Sequence, residues 1–121
     1  MIDESTAPIF IQIKERLKDD IMAGVYEVDE LIISTTQISK LYSVNPATAV
    51  KSVSMLVDEG IVYKKRGIGM CVAVGAKETI VKERVKEFHA QTIPNMVKEA
   101  KKLCIEKSEL IKMVTEVKDY D

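Results

Sequence analysis

The chain has 121 residues, 46% hydrophobic and 31% charged, which suits one ordinary domain or one small domain with a helical appendage. No apolar run reaches the roughly 20 residues that span a bilayer, and no basic-then-apolar leader opens the chain, so we expect a cytoplasmic protein without a membrane partner. Cys71 and Cys104 lack metal-ligand spacing and are interpreted as reduced thiols. The formal net charge is −1, yet residues 34–74 carry five cations against two acids, a local excess that suits a nucleic-acid surface.

The first predicted helix runs from Pro8 to about Ala23, after a polar lead-in, Met1–Ala7, that we expect to be flexible. Gly24 ends this helix. Its apolar stripe recurs at helical spacing and consists of Ile9, Phe10, Ile13, Leu17 and Ile21.

A short second helix is predicted over about Thr36–Tyr42. In the connection before it, Leu31–Ile33 could form one short strand, and Ser34 and Thr35 are both candidate N-caps. The residues of this helix that we expect to point inward are Ile38, Leu41 and Tyr42.

The third helix has the clearest local signals. Asn45 suits the N-cap and Pro46 the first helical position, while Gly60 marks the end. Thr48 and Lys51 lie on the outward side near the start, where a hydroxyl, an ammonium and the positive end of the helix dipole suit phosphate contact. The buried face repeats at helical spacing as Ala49, Ser52, Val53 and Leu56. This order of two helices is typical of a helix-turn-helix, so we interpret the third helix as a recognition helix.

A hairpin is predicted over residues 61–74, which we call the wing. Ile61–Tyr63 and Met70–Val74 are expected as strands, and Lys64–Gly69 as a basic turn. Glycines allow a close backbone approach, and the cations can meet phosphates. Taken alone the segment could be a plain solvated hairpin, but its place directly after a helix-turn-helix favours a winged helix-turn-helix.

The remainder is a charged helical region. Gly75 separates a predicted winged domain, 1–75, from a region over 76–121. One helix from Lys77 to about Leu103 contains Pro94, which should kink or break it, and another covers about Lys107–Val117. These two amphipathic helices cannot bury their stripes alone, so they need the winged domain, each other or a second chain.

With these motifs in view, the chain resembles the GntR family of bacterial transcription regulators, most closely its small YtrA-like subfamily. The resemblance spans Pro8 to about Val117. It rests on P-I-F-I-Q-I-K-E-R-L-K-D-D-I-M-A-G, V-N-P-A-T-A-V-K-S-V, L-V-D-E-G-I-V, R-G-I-G-M-C-V and the tail V-K-E-A-K-K-L-C-I-E-K-S-E-L-I-K-M-V, all in the family's order.

The resemblance implies a mainly α fold with a small β-hairpin: a winged helix-turn-helix followed by a two-helix dimerisation region. It also implies a homodimeric regulator, foremost a repressor, that binds an inverted-repeat operator in double-stranded DNA and controls a transporter operon. The apolar residues expected at the dimer interface are Val81, Val85, Phe88, Met96, Leu103, Leu110 and Val114.

Several family positions differ here. Thr36 replaces an arginine that contacts the DNA backbone, Pro46 and Val50 stand where many relatives have arginine, and Ala47 replaces the usual asparagine. The predicted DNA contacts are Ser34, Thr35, Thr36, Asn45, Ala47, Thr48, Lys51, Lys64, Lys65, Arg66, Gly67 and Gly69. Because a charge-assisted contact is stronger than a hydroxyl contact, we expect weaker or more salt-sensitive binding than in an arginine-rich relative.

Two other classes of function stay open. A winged module that serves protein interactions without binding DNA would fit the missing arginines and the negative net charge, whereas the basic wing opposes it. An enzyme is disfavoured, since no nucleophile–base pair, ligand cluster or phosphate loop is evident, and neither a metal nor a cofactor is expected. Phe88 and His89 are candidates for contact with an unknown small-molecule effector, although His89 could equally be a surface or interface residue.

Overall fold

Helices and one β-hairpin make up the part of the chain that the computed structural model describes, residues 7–119. The elements in order are α1 (Ile9–Met22), α2 (Thr35–Tyr42), α3 (Pro46–Asp58), β1 (Val62–Lys65), β2 (Gly69–Val72), α4 (Ala76–Glu87), a π-helical segment (Phe88–Thr92), α5 (Ile93–Lys102) and α6 (Lys107–Thr115). The predicted mainly α fold with a small hairpin is confirmed. The predicted lead-in, Met1–Ala7, lies outside the described residues except for Ala7.

The described residues divide into two compact units between Val81 and Lys82. In the first unit α3 packs against both α1 and α2. Its aliphatic core consists of Ile13, Leu17, Ile21, Ile32, Ile38, Ala49, Val53, Leu56, Ile61, Val62, Val72, Ala76 and Ile80. Burial of these side chains is the main force that holds the helices together.

The buried face of α3 is the predicted one, namely Ala49, Ser52, Val53 and Leu56. In α2 the prediction was partly wrong, because Ile38 is buried whereas Leu41 is 61% exposed. A helix advances about 100° per residue, so Tyr42 falls nearer to the direction of Ile38 than Leu41 does. Tyr42 accordingly packs against the core.

An ion pair between a buried lysine and a partly exposed glutamate joins the C-terminal end of α3 to α1. Lys18 is fully buried, and its Nζ donates to Glu59 Oε1 at 2.6 Å. Lys14 Nζ lies 3.0 Å from the other oxygen, Glu59 Oε2. Burial raises the pKa of Glu59, but the hydrogen bonds and charges of Lys18 and Lys14 outweigh it, so the pKa lies below its ordinary value. Because Glu59 is the C-cap residue of α3, this contact fixes where that helix ends on α1.

The wing is an antiparallel hairpin in which Val62 pairs with Val72 and Lys65 with Gly69. The predicted strand at Leu31–Ile33 is a single bridge, from Leu31 to Cys71. The structural strands reach further towards the tip than predicted, because the ladder continues through Lys64 and Lys65 to Gly69. Only residues 66–68 form the turn.

The second unit contains the rest of α4, the π-helical segment, α5 and α6. Pro94 is the second residue of α5, but Thr92 and Ile93 before it already have helical backbone angles, so the helical run continues through the proline. Since proline removes one hydrogen bond of an α-helix, the π-helical segment directly before it is where the helix departs from the α pattern. A short connection, in which Cys104 has a positive φ, leads into α6. This helix ends at Thr115, two residues before the end predicted at Val117. Within residues 7–119, none of the helices combines the length and apolarity that crossing a membrane requires.

Replacing Glu59 with Gln should lower the free energy of unfolding by about 2 kcal/mol, because the buried Lys18 ammonium loses its charged partner. The loss stays below the roughly 3–5 kcal/mol of a fully broken buried pair, since Glu15 Oε2 remains 3.2 Å from Lys18 Nζ. Urea denaturation at neutral pH measures the difference.

Asp58→Asn is the matched control, since it removes the same charge from the neighbouring exposed position and should change stability by less than about 0.5 kcal/mol. The difference between wild type and Glu59→Gln should also shrink on acidification. The folded-state pKa of Glu59 lies below the ordinary 4.5, so its stabilisation is complete above that value and is lost as pH falls through the folded-state pKa. Equal losses in the two variants would show that the ion pair contributes nothing.

Candidate nucleic-acid interface

The start of α3 is capped as the sequence predicts. Asn45 has extended backbone angles, and its Oδ1 accepts a hydrogen bond from the backbone amide of Thr48 at 2.8 Å. Pro46 follows in the first turn. Ala47 is exposed and Thr48 is half-buried. The cap therefore occupies the side-chain oxygen of Asn45, while the first turn of α3 is presented at the surface.

Lys51 is held by an aromatic ring from α1. Its Nζ lies 4.0 Å from the centroid of the Phe10 ring, a cation–π contact that restrains the side chain without neutralising its charge. The helical spacing of the sequence predicts Phe10 only as part of the apolar stripe of α1, so this contact is not predicted by it. The cation beside the recognition helix is thus pre-positioned by α1.

The start of α2 carries a capping box. The amide of Gln37 donates to Ser34 Oγ at 3.1 Å, and the amide of Ser34 donates to Gln37 Oε1 at 3.0 Å. Of the two candidate caps, Ser34 is therefore the N-cap and Thr35 is the first helical residue.

Two shallow clefts border this helix start. One, of about 140 Å³, lies towards α3 and is lined by Thr35, Thr36, Ser39, Lys40 and Pro46. The other, of about 280 Å³, lies towards the wing, and its lining includes Ser34, Thr35, Gln37, Ile68 and Gly69. The start of α2, with Thr35 in both clefts, therefore lies between Pro46 at the start of α3 and Ile68 at the wing tip.

Lys40 is a cation of this surface that the predicted contacts left out. It is exposed and lies four residues after Thr36, so the two side chains share one face of α2. The four-residue spacing could have identified Lys40 from the sequence, because Thr36 occupies the position where the family places arginine and Lys40 is the nearest cation to it.

The wing exposes Lys64, Arg66 and Gly67. Gly67 has a φ of +79° in the turn, a conformation that glycine adopts without strain. Gly69 has a φ of +136°, which L side chains rarely adopt, and a Cβ there would come within 2.9 Å of Leu31 Cδ1, so the Leu31 side chain would have to shift. These glycines serve the shape of the wing whether or not they also approach a phosphate.

Lys65 differs from the other wing cations because it already has an acidic partner. Its Nζ lies 3.6 Å from Asp29 Oδ2, and the Tyr63 hydroxyl donates to Asp29 Oδ1. The hydrogen bond from Tyr63 and the charge of Lys65 hold the pKa of Asp29 below its ordinary value. The same hydrogen bond raises the pKa of Tyr63 to about 12. No motif in the sequence linked Asp29 to the wing.

The residues predicted for dimerisation or an effector are mostly exposed in the single chain. Phe88 and His89 lie on the π-helical segment. In the second unit α5 and α6 enclose two grooves, of about 550 Å³ and 250 Å³. The smaller groove is lined mainly by apolar side chains, among them Met96, Leu110 and Val114. Exposed apolar residues of the dimer prediction are Val81, Val85, Phe88, Met96, Leu103 and Val114.

Comparisons with known proteins point to one class. The family model described as bacterial regulatory proteins, gntR family, matches residues 11–72. The HTH-type transcriptional repressor YtrA of Bacillus subtilis is 28% identical over 87 residues, which cover 72% of this chain and 67% of YtrA. YurK, an uncharacterised HTH-type regulator of the same organism, is 32% identical over 68 residues, 56% of this chain but only 28% of YurK. These relatives are named as transcription regulators and not as enzymes.

Solved structures agree with this fold. A GntR-family regulator from Bacteroides thetaiotaomicron is 35% identical, with a TM-score of 0.71, over 90% of this chain and 95% of that one. The DNA-binding domain of AraR in complex with operator ORR3 is 27% identical, with a TM-score of 0.54, over 60% of this chain and 88% of that one. A winged helix-turn-helix is therefore the fold of the first unit.

Replacing Asn45 with Ala should lower the free energy of unfolding by about 1 kcal/mol, because the amide of Thr48 loses its cap. Asn45→Asp should retain most of the stability, since aspartate caps equally well. Ser54→Ala, at an exposed position of the same helix, is the control and should stay within about 0.5 kcal/mol of wild type. Thermal or urea unfolding measures these differences in stability. An Asn45→Ala variant as stable as the control would refute the cap.

Proposed function

We propose that this chain, which belongs to the GntR family of bacterial regulatory proteins, is a repressor that binds an inverted-repeat DNA operator as a homodimer. The observation that supports the proposal most directly is that the start of α2 borders both the start of α3 and the tip of the wing. Each of these segments offers donors or cations of the kind that contact phosphate. The printed names of the relatives, among them the repressor YtrA, support the same class.

In the proposed complex α3 enters the major groove and the wing lies along the neighbouring backbone. Thr48 and Lys51 contact the groove from α3, while Ser34, Thr35 and Thr36 approach phosphates with the positive end of the α2 dipole. Lys64, Arg66 and the Gly67 amide position the duplex from the wing. With Ala47 and Val50 on the exposed side of α3, polar base readout is sparse, so DNA shape contributes to recognition.

Dimerisation is proposed to use the exposed apolar side chains between Val81 and Val114. Side chains such as Phe88, Leu103 and Val114 are more than half exposed in the single chain, which is unfavourable unless a partner covers them. A homodimer also matches the twofold symmetry of an inverted-repeat operator. As the subfamily resemblance implies, the regulated genes are proposed to be a transporter operon.

Operator binding should weaken as salt rises, with a slope of about −0.9 in log K against log salt for each phosphate neutralised. The probe is the DNA upstream of the protein's own gene, measured by fluorescence anisotropy. Because a homodimer carries each cation twice, Lys51→Ala and Arg66→Ala should each reduce the slope by about 1.8, the loss of two phosphate contacts. Lys112→Ala, a charge loss of equal size in α6, is the control and should leave the slope unchanged.

A salt-independent interaction, or Lys51→Ala and Arg66→Ala variants that behave like Lys112→Ala, would refute DNA binding through this surface. Such a result would favour the alternative of a winged module that binds another protein.

The chain should sediment at twice its mass of 13.6 kDa at micromolar concentration. Val114→Asp should shift the mass towards the monomer, because it places a charge in the apolar surface of α6. Ser108→Asp adds the same charge to an exposed position near the start of α6 and should leave the mass unchanged. A wild-type monomer, or equal effects of both substitutions, would overturn this interface.

A further inference from the structure

The two faces of β1 point to different surroundings. Side chains alternate along a strand, so Val62 and Lys64 lie on one face, and Tyr63 and Lys65 on the other. Val62 is buried in the core. Tyr63 and Lys65 both reach the carboxylate of Asp29, each on a different oxygen. One acidic residue from outside the hairpin thus binds both polar side chains of this face.

The backbone fixes Asp29 beside the wing. Its amide donates to the carbonyl of Val72 at 2.8 Å, and the amide of Val72 donates to the carbonyl of Glu30 at 3.0 Å. Asp29 has a φ of +71°, in the left-handed region where aspartate and asparagine are the most tolerated residues after glycine. The carboxylate is therefore part of a built turn, attached to the last residue of β2.

We propose that Asp29 is a positioning residue that restrains Lys65, so that a DNA phosphate must compete with its carboxylate for this lysine. The inference rests on the proposed DNA-binding function, and it concerns how much of the wing's charge that function can use. Lys64 and Arg66 are exposed near the same tip and are the cations that DNA meets first. Asp29 thus sets the strength of wing binding without contacting DNA.

Asp29→Asn isolates this effect, because asparagine keeps the left-handed backbone and its amide oxygen still accepts the hydrogen bond from Tyr63. Only the charge is lost. DNA affinity should rise about two- to fivefold for each half-site of the dimer, the range expected when an exposed ion pair no longer competes. The slope of log K against log salt should steepen by up to about 1.8, one additional phosphate contact from each protomer.

Glu27→Gln is the matched control, since it removes the same charge from an exposed position in the same loop. Glu27→Gln should leave the DNA affinity closer to that of the wild type than Asp29→Asn does. In a Lys65→Gln background, Asp29→Asn should give no larger gain than Glu27→Gln, because the restrained lysine is absent. If Asp29→Asn equals Glu27→Gln in both backgrounds while the wild type binds DNA, this inference fails and the proposed function stands. If the wild type does not bind DNA, the proposed function itself fails.

A second readout needs no DNA. Spectrophotometric titration of the tyrosines should find one phenol with a pKa of about 12, and Tyr63→Phe should remove it. Asp29→Gly keeps the left-handed backbone but removes both the hydrogen-bond acceptor and the charge, so in this variant the same phenol should titrate closer to its ordinary value of 10. An unchanged titration would mean that Asp29 does not hold this face of the wing in solution.

Discussion

The contact between Glu59 and the buried Lys18 is the constraint on which the first unit depends. A charge that is fully removed from water tolerates few arrangements, because each one without a partner is costly. The ion pair therefore fixes the C-terminal end of α3 against α1, while the aliphatic face of α3 supplies most of the burial energy. At the other end, the Asn45 cap defines where the helix begins. Helix α1 is thus the platform that orients the candidate recognition helix.

The cations at the surface also differ in the partners that they contact. A chain with a net charge of −1 has few positive side chains to spare for a polyanion, and the structure shows that they are not equivalent. Lys51 rests on Phe10 and keeps its charge available, whereas Lys65 is paired with Asp29. Lys40 adds a cation next to Thr36. The distribution and partnering of these groups, rather than their number, determine what the surface offers to DNA.

Much of this could be predicted where the signal is local. The cap, limits and buried face of α3 follow from residues within one helix, and the hairpin follows from its own pattern. The Lys18–Glu59 pair could not, because it joins residues 41 positions apart and a lysine in a polar stretch is expected to be exposed. The contact of Asp29 with the wing was missed for the same reason. Leu41 was wrongly predicted to point inward because the few residues of a short helix define its buried face poorly. The dimer interface stays a prediction, since it needs a second chain.

The proposed DNA-binding surface combines the starts of α2 and α3 with the wing, and the proposed homodimer uses it twice. Hydroxyl-radical footprinting of the protein on the DNA upstream of its gene tests this most directly. A homodimer bound through this surface should give two symmetric sets of protected sugars, centred about one helical turn apart, with additional backbone protection that disappears in Arg66→Ala. A single unsymmetric footprint, or no protection at concentrations where the protein is folded, would contradict it.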